Sequence, residues 1–320
     1  MRPASSSPRP RAFVWSVSAL AKRTYSDARR HFGQGAWTLA SNAHLTGFIT
    51  GQIYTGPLKT ACVPGLNCYS CPGALGACPI GALQAVIGSA EYKLSFYMMG
   101  FFVLIGTLLG RLVCGWLCPF GLVQDLLHKV PFLKKIHTFP GDRLLRYLKY
   151  LVLLVFVIIL PLTLVNVIGS GSPYFCKLIC PAGMLEGGWP LVGLNPDLRK
   201  TLGNLFIWKN VVLALTIFSA MVVYRPFCKY LCPLGAIYGL FNRVAFYRYH
   251  LDASRCISCG KCRKACGMAI DPVSEINSPE CIRCGRCRQT CPTAALSAGF
   301  KGPAPTCPQA DVSSVKGEAL

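Results

Sequence analysis

Two stretches of this 320-residue chain share one pattern: Arg111-Leu-Val-Cys114-Gly-Trp-Leu-Cys118-Pro119-Phe-Gly121 and Arg225-Pro-Phe-Cys228-Lys-Tyr-Leu-Cys232-Pro233-Leu-Gly235. An arginine, both cysteines, a leucine, a proline and a glycine fall in register at an offset of 114 residues. A second pair, Cys78-Pro-Ile-Gly-Ala-Leu83 and Cys180-Pro-Ala-Gly-Met-Leu185, precedes them. The chain therefore contains two copies of one unit. Each copy consists of an apolar segment, a Cys-Pro loop, a second apolar segment and a second Cys-Pro loop.

The segments between these loops are apolar enough to suggest a membrane. Hydrophobic residues make up 52% of the chain and charged residues 14%, against about 25% charged in a soluble domain. A membrane helix needs about 20 apolar residues. Four stretches carry no charge: Phe32 to Leu58, Leu94 to Gly110, Tyr150 to Cys176 and Asn210 to Tyr224. We expect an α-helical membrane protein with four transmembrane helices in two pseudo-symmetric halves. Polar residues interrupt the first stretch, so a surface-lying or core helix is its alternative.

The basic residues predict the orientation of these helices. The five segments outside the spans contain 7, 2, 7, 4 and 13 Lys and Arg residues in chain order. Cytoplasmic loops carry the excess of Lys and Arg in multi-pass proteins. This alternation predicts a multi-pass protein of the cell membrane with both termini in the cytoplasm.

The two inner motifs predict a metal site. Each places its cysteines four residues apart, on one face of a helical turn. Two halves that repeat in the same orientation are related by a pseudo-twofold axis along the membrane normal. This axis would bring Cys114, Cys118, Cys228 and Cys232 together, and four thiolates hold one [4Fe–4S] cluster. Buried apolar cysteines and structural zinc are the alternatives.

The outer loops offer six cysteines, more than one cluster needs. The repeat aligns Cys78 with Cys180, and Cys176 has no cysteine at its equivalent position. We predict a second membrane-level cluster on Cys71, Cys78, Cys176 and Cys180. The remaining two cysteines, Cys68 and Cys62, are the alternative ligands of this outer site, or could form a disulfide on an oxidising face.

The carboxy-terminal part contains the pattern C-x₂-C-x₂-C-x₃-C twice, which is the bacterial two-cluster ferredoxin run. The fourth cysteine of each run ligates the other cluster. The runs therefore predict two [4Fe–4S] clusters in a small α+β module, one on Cys256, Cys259, Cys262 and Cys291, the other on Cys281, Cys284, Cys287 and Cys266. Zinc is the alternative. Four thiolate-bound clusters would be negatively charged and would offset part of the formal +21 charge. Because the basic excess is partly counter-charge for these sites, we expect no nucleic-acid partner.

These features divide the chain into four parts. Residues 1–31 are a basic, disordered or amphipathic segment, and residues 32–245 form the membrane domain, with halves at about 32–135 and 145–245. Residues 246–298 form the ferredoxin domain. Residues 299–320 are a tail, in which Cys307 is not expected to be a ligand.

The two C-x₃-C-P motifs, the four spans and the double ferredoxin run together resemble the membrane polyferredoxins. This family includes relatives of the quinol-dehydrogenase membrane subunit of periplasmic nitrate reductase systems and of the nitrous oxide reductase membrane regulator. The resemblance implies electron transfer between the quinone pool, or an outer-face partner, and a redox partner protein. It implies the electron-transfer subunit of an oxidoreductase, without substrate chemistry of its own.

Other functions and cofactors are less well supported by the sequence. A redox sensor or assembly factor that uses the same clusters is the alternative function. No haem is expected, because no pair of histidines is placed across two spans, and no flavin-attachment domain is present. His44, Gln52 and Tyr54 could contact a quinone, although polar packing inside the bundle is the favoured interpretation.

Overall fold

The computed structural model describes residues 17–89, 96–131, 134–164 and 171–300. Most of these residues are helical. The helices are α1 (Val17–Ser41), α2 (Gly47–Thr50), α3 (Pro79–Ile87), α4 (Phe96–Leu109), α5 (Leu112–Trp116), α6 (Pro119–Lys129), α7 (Asp142–Thr163), α8 (Tyr174–Leu178), α9 (Trp189–Leu194), α10 (Pro196–Lys200), α11 (Asn204–Val222), α12 (Pro226–Tyr230), α13 (Pro233–Phe241), α14 (Lys261–Ala265) and α15 (Arg286–Thr290). A π-helical segment, Gly183–Gly188, leads into α9, and Pro57–Thr60 and Ala253–Arg255 are 3₁₀ turns.

Two helices of the described residues, α7 and α11, are long and apolar enough to cross a membrane. A third apolar helix, α4, has only 14 residues. Large apolar side chains on these helices are exposed, including Leu151 at 56%, Leu215 at 65% and Phe96 at 82%. Such exposed faces suit a helix that contacts lipid.

The predicted first span, Phe32 to Leu58, is wrong as a continuous helix. Helix α1 begins at Val17 and ends at Ser41, and the chain then turns through α2 and the 3₁₀ turn at Pro57–Thr60. The polar side chains of Arg30 and Gln34 are fully buried. The face of α1 that carries them therefore packs against protein rather than lipid.

Helix α1 nevertheless connects the two ends of the molecule. Near its middle, Asp27 pairs with Arg286 of α15 at 3.1 Å. At its end, the Ser41 carbonyl oxygen accepts a hydrogen bond from Leu75 of the first outer loop. Helix α1 therefore runs from the carboxy-terminal module toward the outer loops.

The carboxy-terminal part contains a small antiparallel sheet, as the α+β prediction requires. Strand β1 (Arg248–Leu251) pairs with β2 (Leu296–Gly299), with Arg248 opposite Gly299 and Leu251 opposite Leu296. The two strands enclose α14 and α15, each of which begins after a glycine with positive φ, Gly260 and Gly285. Only glycine adopts this backbone conformation without strain. The amino-terminal residues 1–16 and the tail with Cys307 lie outside the described residues.

Candidate functional site

The two inner motifs meet across a pseudo-twofold axis. Arg111 Nη2 donates to the carbonyl oxygen of Cys228 at 3.0 Å, and Arg225 Nη1 donates to the carbonyl oxygen of Cys114 at 2.5 Å. Both arginines are fully buried. This reciprocal pair of hydrogen bonds relates the two halves in the way that the internal repeat predicts.

The four inner cysteines are buried together. Burial raises the pKa of the thiols of Cys118, Cys228 and Cys232, and the sulfur of Cys114 raises all three further. Thiolates at such a site repel one another, so the deprotonated set needs a compensating cation, as a coordinated metal provides. This donor set fits the iron of a [4Fe–4S] cluster.

All four Cys-Pro-x-Gly stretches share one local geometry. The amide N–H of the glycine three residues after the cysteine approaches the sulfur, in the pairs Cys78–Gly81, Cys118–Gly121, Cys180–Gly183 and Cys232–Gly235. In three of them the cysteine has extended backbone, and the proline begins a helix. Proline disfavours helical backbone before it and suits the first helical position. The free amides of the first turn can therefore point at the sulfur.

Two glutamines, which the sequence did not lead us to expect, each contact a cysteine sulfur in the same way. Gln124 Nε2 lies 3.1 Å from Cys228 Sγ, and its Oε1 accepts the amide of Phe227. Gln84 Nε2 lies 3.3 Å from Cys176 Sγ, and its Oε1 accepts the amide of Phe175. The signal was available, because each glutamine stands six residues after a Cys-Pro cysteine and its partners lie in a repeated Phe-Cys-Lys-x-x-Cys-Pro-x-Gly motif.

In the outer loops, Cys68 lies near Cys180, Cys78 and Cys176. Burial raises the pKa of Cys180, and charge on Cys176, Cys68 and Cys78 raises it further. A Cβ atom added to Gly183 would lie 3.6 Å from Cys68 Sγ. Burial raises the pKa of Cys71, the charge of Glu186 raises it further, and the charge of Lys59 lowers it. The set of Cys71, Cys78, Cys176 and Cys180 stays a prediction, as does its alternative with Cys68.

The remaining outer cysteine also lies apart. Cys62 Sγ contacts Met98 Sδ at 3.6 Å. None of the 18 cysteines of the described residues forms a disulfide, so no disulfide joins Cys62 to Cys68. Among these residues, no group of three or more His, Cys, Asp or Glu side chains is arranged around a single metal ion.

The ferredoxin cysteines line two cavities in the predicted groups. Cys266, Cys281, Cys284 and Cys287 line one cavity, and Cys256, Cys259, Cys262 and Cys291 line the other. The first group is the more enclosed, and burial raises the pKa of Cys281 to about 12. Cys259 of the second group is exposed.

Buried ion pairs hold these parts together. Asp125 of α6 contacts Arg30 at 2.5 Å and Arg225 at 2.5 Å, which joins α1 to the inner site. Burial alone would raise the pKa of Asp125, but Arg225 and Arg30 hold it well below its usual value. Glu280, next to Cys281, pairs with Arg111 at 2.9 Å.

The suggested quinone contact is a packed polar cluster in the structure. His44 Nδ1 lies 3.0 Å from the Pro72 carbonyl oxygen, and its ring packs 5.2 Å from the Tyr54 ring. This supports the favoured interpretation of His44 as polar packing.

Comparison with known proteins agrees with the cysteine geometry. One family model, described as a 4Fe-4S binding domain, matches residues 93–140, 149–189 and 206–249, and a second of the same description matches residues 275–297. The chain is 31% identical over 184 residues to an uncharacterized protein of Methanocaldococcus jannaschii, covering 56% of this chain and 67% of that protein. The chain belongs to the polyferredoxin family of 4Fe-4S electron-transport proteins.

Two further relatives have ferredoxin-type names. The chain is 27% identical to the methylamine utilization ferredoxin-type protein MauN of Methylobacillus flagellatus, over 52% of this chain and 50% of that protein. It is 24% identical to the ferredoxin-type protein NapH of Haemophilus influenzae, over 72% of this chain and 67% of that protein. The chain thus spans about half to two thirds of the length of these curated relatives. No solved structure matches the chain.

Proposed function

We propose that this chain is a membrane-bound electron relay that carries four [4Fe–4S] clusters in series. The outer site comprises Cys68, Cys78, Cys176 and Cys180; the inner site comprises Cys114, Cys118, Cys228 and Cys232. The near ferredoxin site comprises Cys266, Cys281, Cys284 and Cys287; the distal site comprises Cys256, Cys259, Cys262 and Cys291. Each cluster supplies one-electron redox chemistry.

The observation that carries this proposal is one short peptide between the outer and inner sites. The amide of Leu66 approaches the sulfur of Cys118, and the amide of the next residue, Asn67, approaches the sulfur of Cys78. Cys68 follows directly and belongs to the outer site. Because adjacent residues contact both sites, the two sites are neighbours.

Hydrogen bonds also join the inner site to the ferredoxin module. Arg111 binds the Cys228 carbonyl oxygen with one nitrogen and Glu280, the residue before Cys281, with another. Trp116 donates to the carbonyl oxygen of Arg283 at 3.1 Å. These contacts support the order outer, inner, near and distal, with the exposed Cys259 at the far end for a soluble partner.

We further propose that α1, α4, α7 and α11 provide four crossings, with both termini on the cytoplasmic side. Among the described residues, only α7 and α11 have the length and hydropathy of a span on their own. Helix α1 contributes by running from the module to the outer loops. At the outer end of the relay, the electron donor or acceptor would be the quinone pool or an outer-face protein. The chain would act as the electron-transfer subunit of an oxidoreductase.

Iron and sulfide analysis of anaerobically purified protein tests the proposal. We expect about 16 irons per chain, since each cubane cluster holds four. A Cys78→Ser, Cys180→Ser variant should lose about four of them and keep the ferredoxin EPR signals. A wild-type value near 12, with the outer cysteines unmetallated, would refute the relay.

A further inference from the structure

A cavity of the described residues lies where α7 begins, beside the loop that leads to the near ferredoxin site. Its volume is about 630 Å³. It is lined mainly by the residues Arg143, Arg146, Tyr147, Tyr150, Arg243 and the segment 274–280. None of these groups is used by the proposed relay except Glu280.

The cavity has a positive charge that is not neutralised within the described residues. Arg143 and Arg243 form no ion pair with a described residue, whereas Arg146 pairs with Asp142. Glu280 is engaged by Arg111 and by a buried lysine. Arg143, Arg243 and Glu275 are all exposed, and the three arginines of the lining exceed its two glutamates by one charge. The unpaired arginines therefore favour an anionic ligand.

An apolar groove continues from this cavity along α7. Its volume is about 520 Å³, and Tyr147 separates it from the arginine cavity and lines both. Its walls include Leu144, Leu148 and Leu151, and Leu144 is 77% exposed. These leucines recur at helical spacing on the outward face of a helix that is apolar enough to span a membrane.

We propose that this cavity and groove bind one anionic phospholipid. The phosphate would lie between Arg143 and Arg243, and an acyl chain would lie along the leucines of α7. Basic pockets at the cytoplasmic end of membrane helices bind such headgroups, and arginine is well suited to phosphate. A bound lipid would join α7 to the loop before Cys281 and so fix the ferredoxin module against the membrane domain. This inference rests on the proposed membrane placement of the chain.

Native mass spectrometry of the full, cluster-loaded protein tests the inference. The protein is reconstituted in nanodiscs that contain phosphatidylcholine and phosphatidylglycerol. We expect the wild type to retain one phosphatidylglycerol in preference to phosphatidylcholine. An Arg143→Gln, Arg243→Gln variant should bind it at least about tenfold more weakly, since it removes both arginines that would contact the phosphate. The matched control, Arg199→Gln with Lys200→Gln, removes two exposed charges of α10 and should retain the lipid.

Two further arms separate the possible ligands and failures. Inorganic phosphate, added alone, should not displace the lipid, and a Leu144→Ser variant should weaken lipid retention. Equal retention of both lipids by the wild type, or displacement by phosphate, would overturn the inference. Iron content and EPR spectra are recorded on the same wild-type samples. A wild type with full iron content and no lipid selectivity rejects only the lipid site, and a wild type with low iron content rejects the relay.

Discussion

At the residue scale, the cysteine ligands are set by local backbone chemistry. Proline after the cysteine begins a helix, and its first free amides point toward the sulfur, as in Cys118 with Gly121. This could be anticipated from the Cys-Pro repeat. The choice of Cys68 over Cys71 could not, because it depends on how an irregular loop folds between two sites rather than on spacing.

The proposed outer site predicts different effects for two neighbouring cysteines. A Cys68→Ser variant should lose about four irons, whereas Cys71→Ser should keep the wild-type content. Iron analysis and EPR of anaerobic preparations measure this. Loss of iron in Cys71→Ser, with none in Cys68→Ser, would restore the set that the sequence favoured.

The two glutamines predict a selective change in redox potential. A Gln124→Leu variant loses the N–H that approaches Cys228 Sγ, so the oxidised, less negative cluster is favoured and the potential falls. We expect a decrease of about 60 mV, the one-electron equivalent of a tenfold change. EPR-monitored redox titration measures it, with Gln84→Leu as the matched variant that should shift only the outer signal. Shifts of the same signal in both variants would contradict the two-site assignment.

At the element scale, hydropathy predicted the third and fourth spans, but it did not predict the helix of the first segment. The fourth predicted span, Asn210 to Tyr224, corresponds to α11, and the third overlaps α7. The first failed because the decisive residues of α1, Arg30 and Gln34, find buried partners in distant elements. Hydropathy in a window cannot reveal an ion pair 95 residues away.

The buried network around Asp125 predicts a large loss of stability. An Asp125→Asn variant leaves Arg225 without its counter-charge and Arg30 with only Asp27 at 3.6 Å, which should cost about 3–5 kcal/mol. Thermal loss of bound iron, followed by absorbance, measures the effect. The control is Asp197→Asn, which breaks the exposed pair with Lys200 and should change stability by less than about 1 kcal/mol. Equal effects would argue against a structural role for the network.

At the scale of the whole molecule, the internal repeat predicted the meeting of the two halves, and the reciprocal contacts of Arg111 and Arg225 agree with it. The docking of the ferredoxin module was not predictable from its own motif, since it depends on Glu280 and Arg283, which lie between or beside ligands and contact the membrane domain. These contacts make the module part of one continuous arrangement of sites.

The proposed orientation predicts which residues can be labelled from each side. Single cysteines introduced at Lys134 and Arg199 of an otherwise functional chain should react with an impermeant thiol reagent on opposite sides of sealed vesicles. The Lys134 position should share its side with the ferredoxin module. Reaction of both positions on one side would exclude the four-crossing arrangement.

The most direct test of the relay is electron delivery through the inner site. The protein is reconstituted in sealed proteoliposomes, with an impermeant reductant on the outer-loop side, and freeze-quench EPR follows the ferredoxin clusters. We predict their reduction in the wild type and its loss in a Cys228→Ser variant that keeps both ferredoxin signals when reduced directly. Reduction at the wild-type rate in Cys228→Ser would contradict the account.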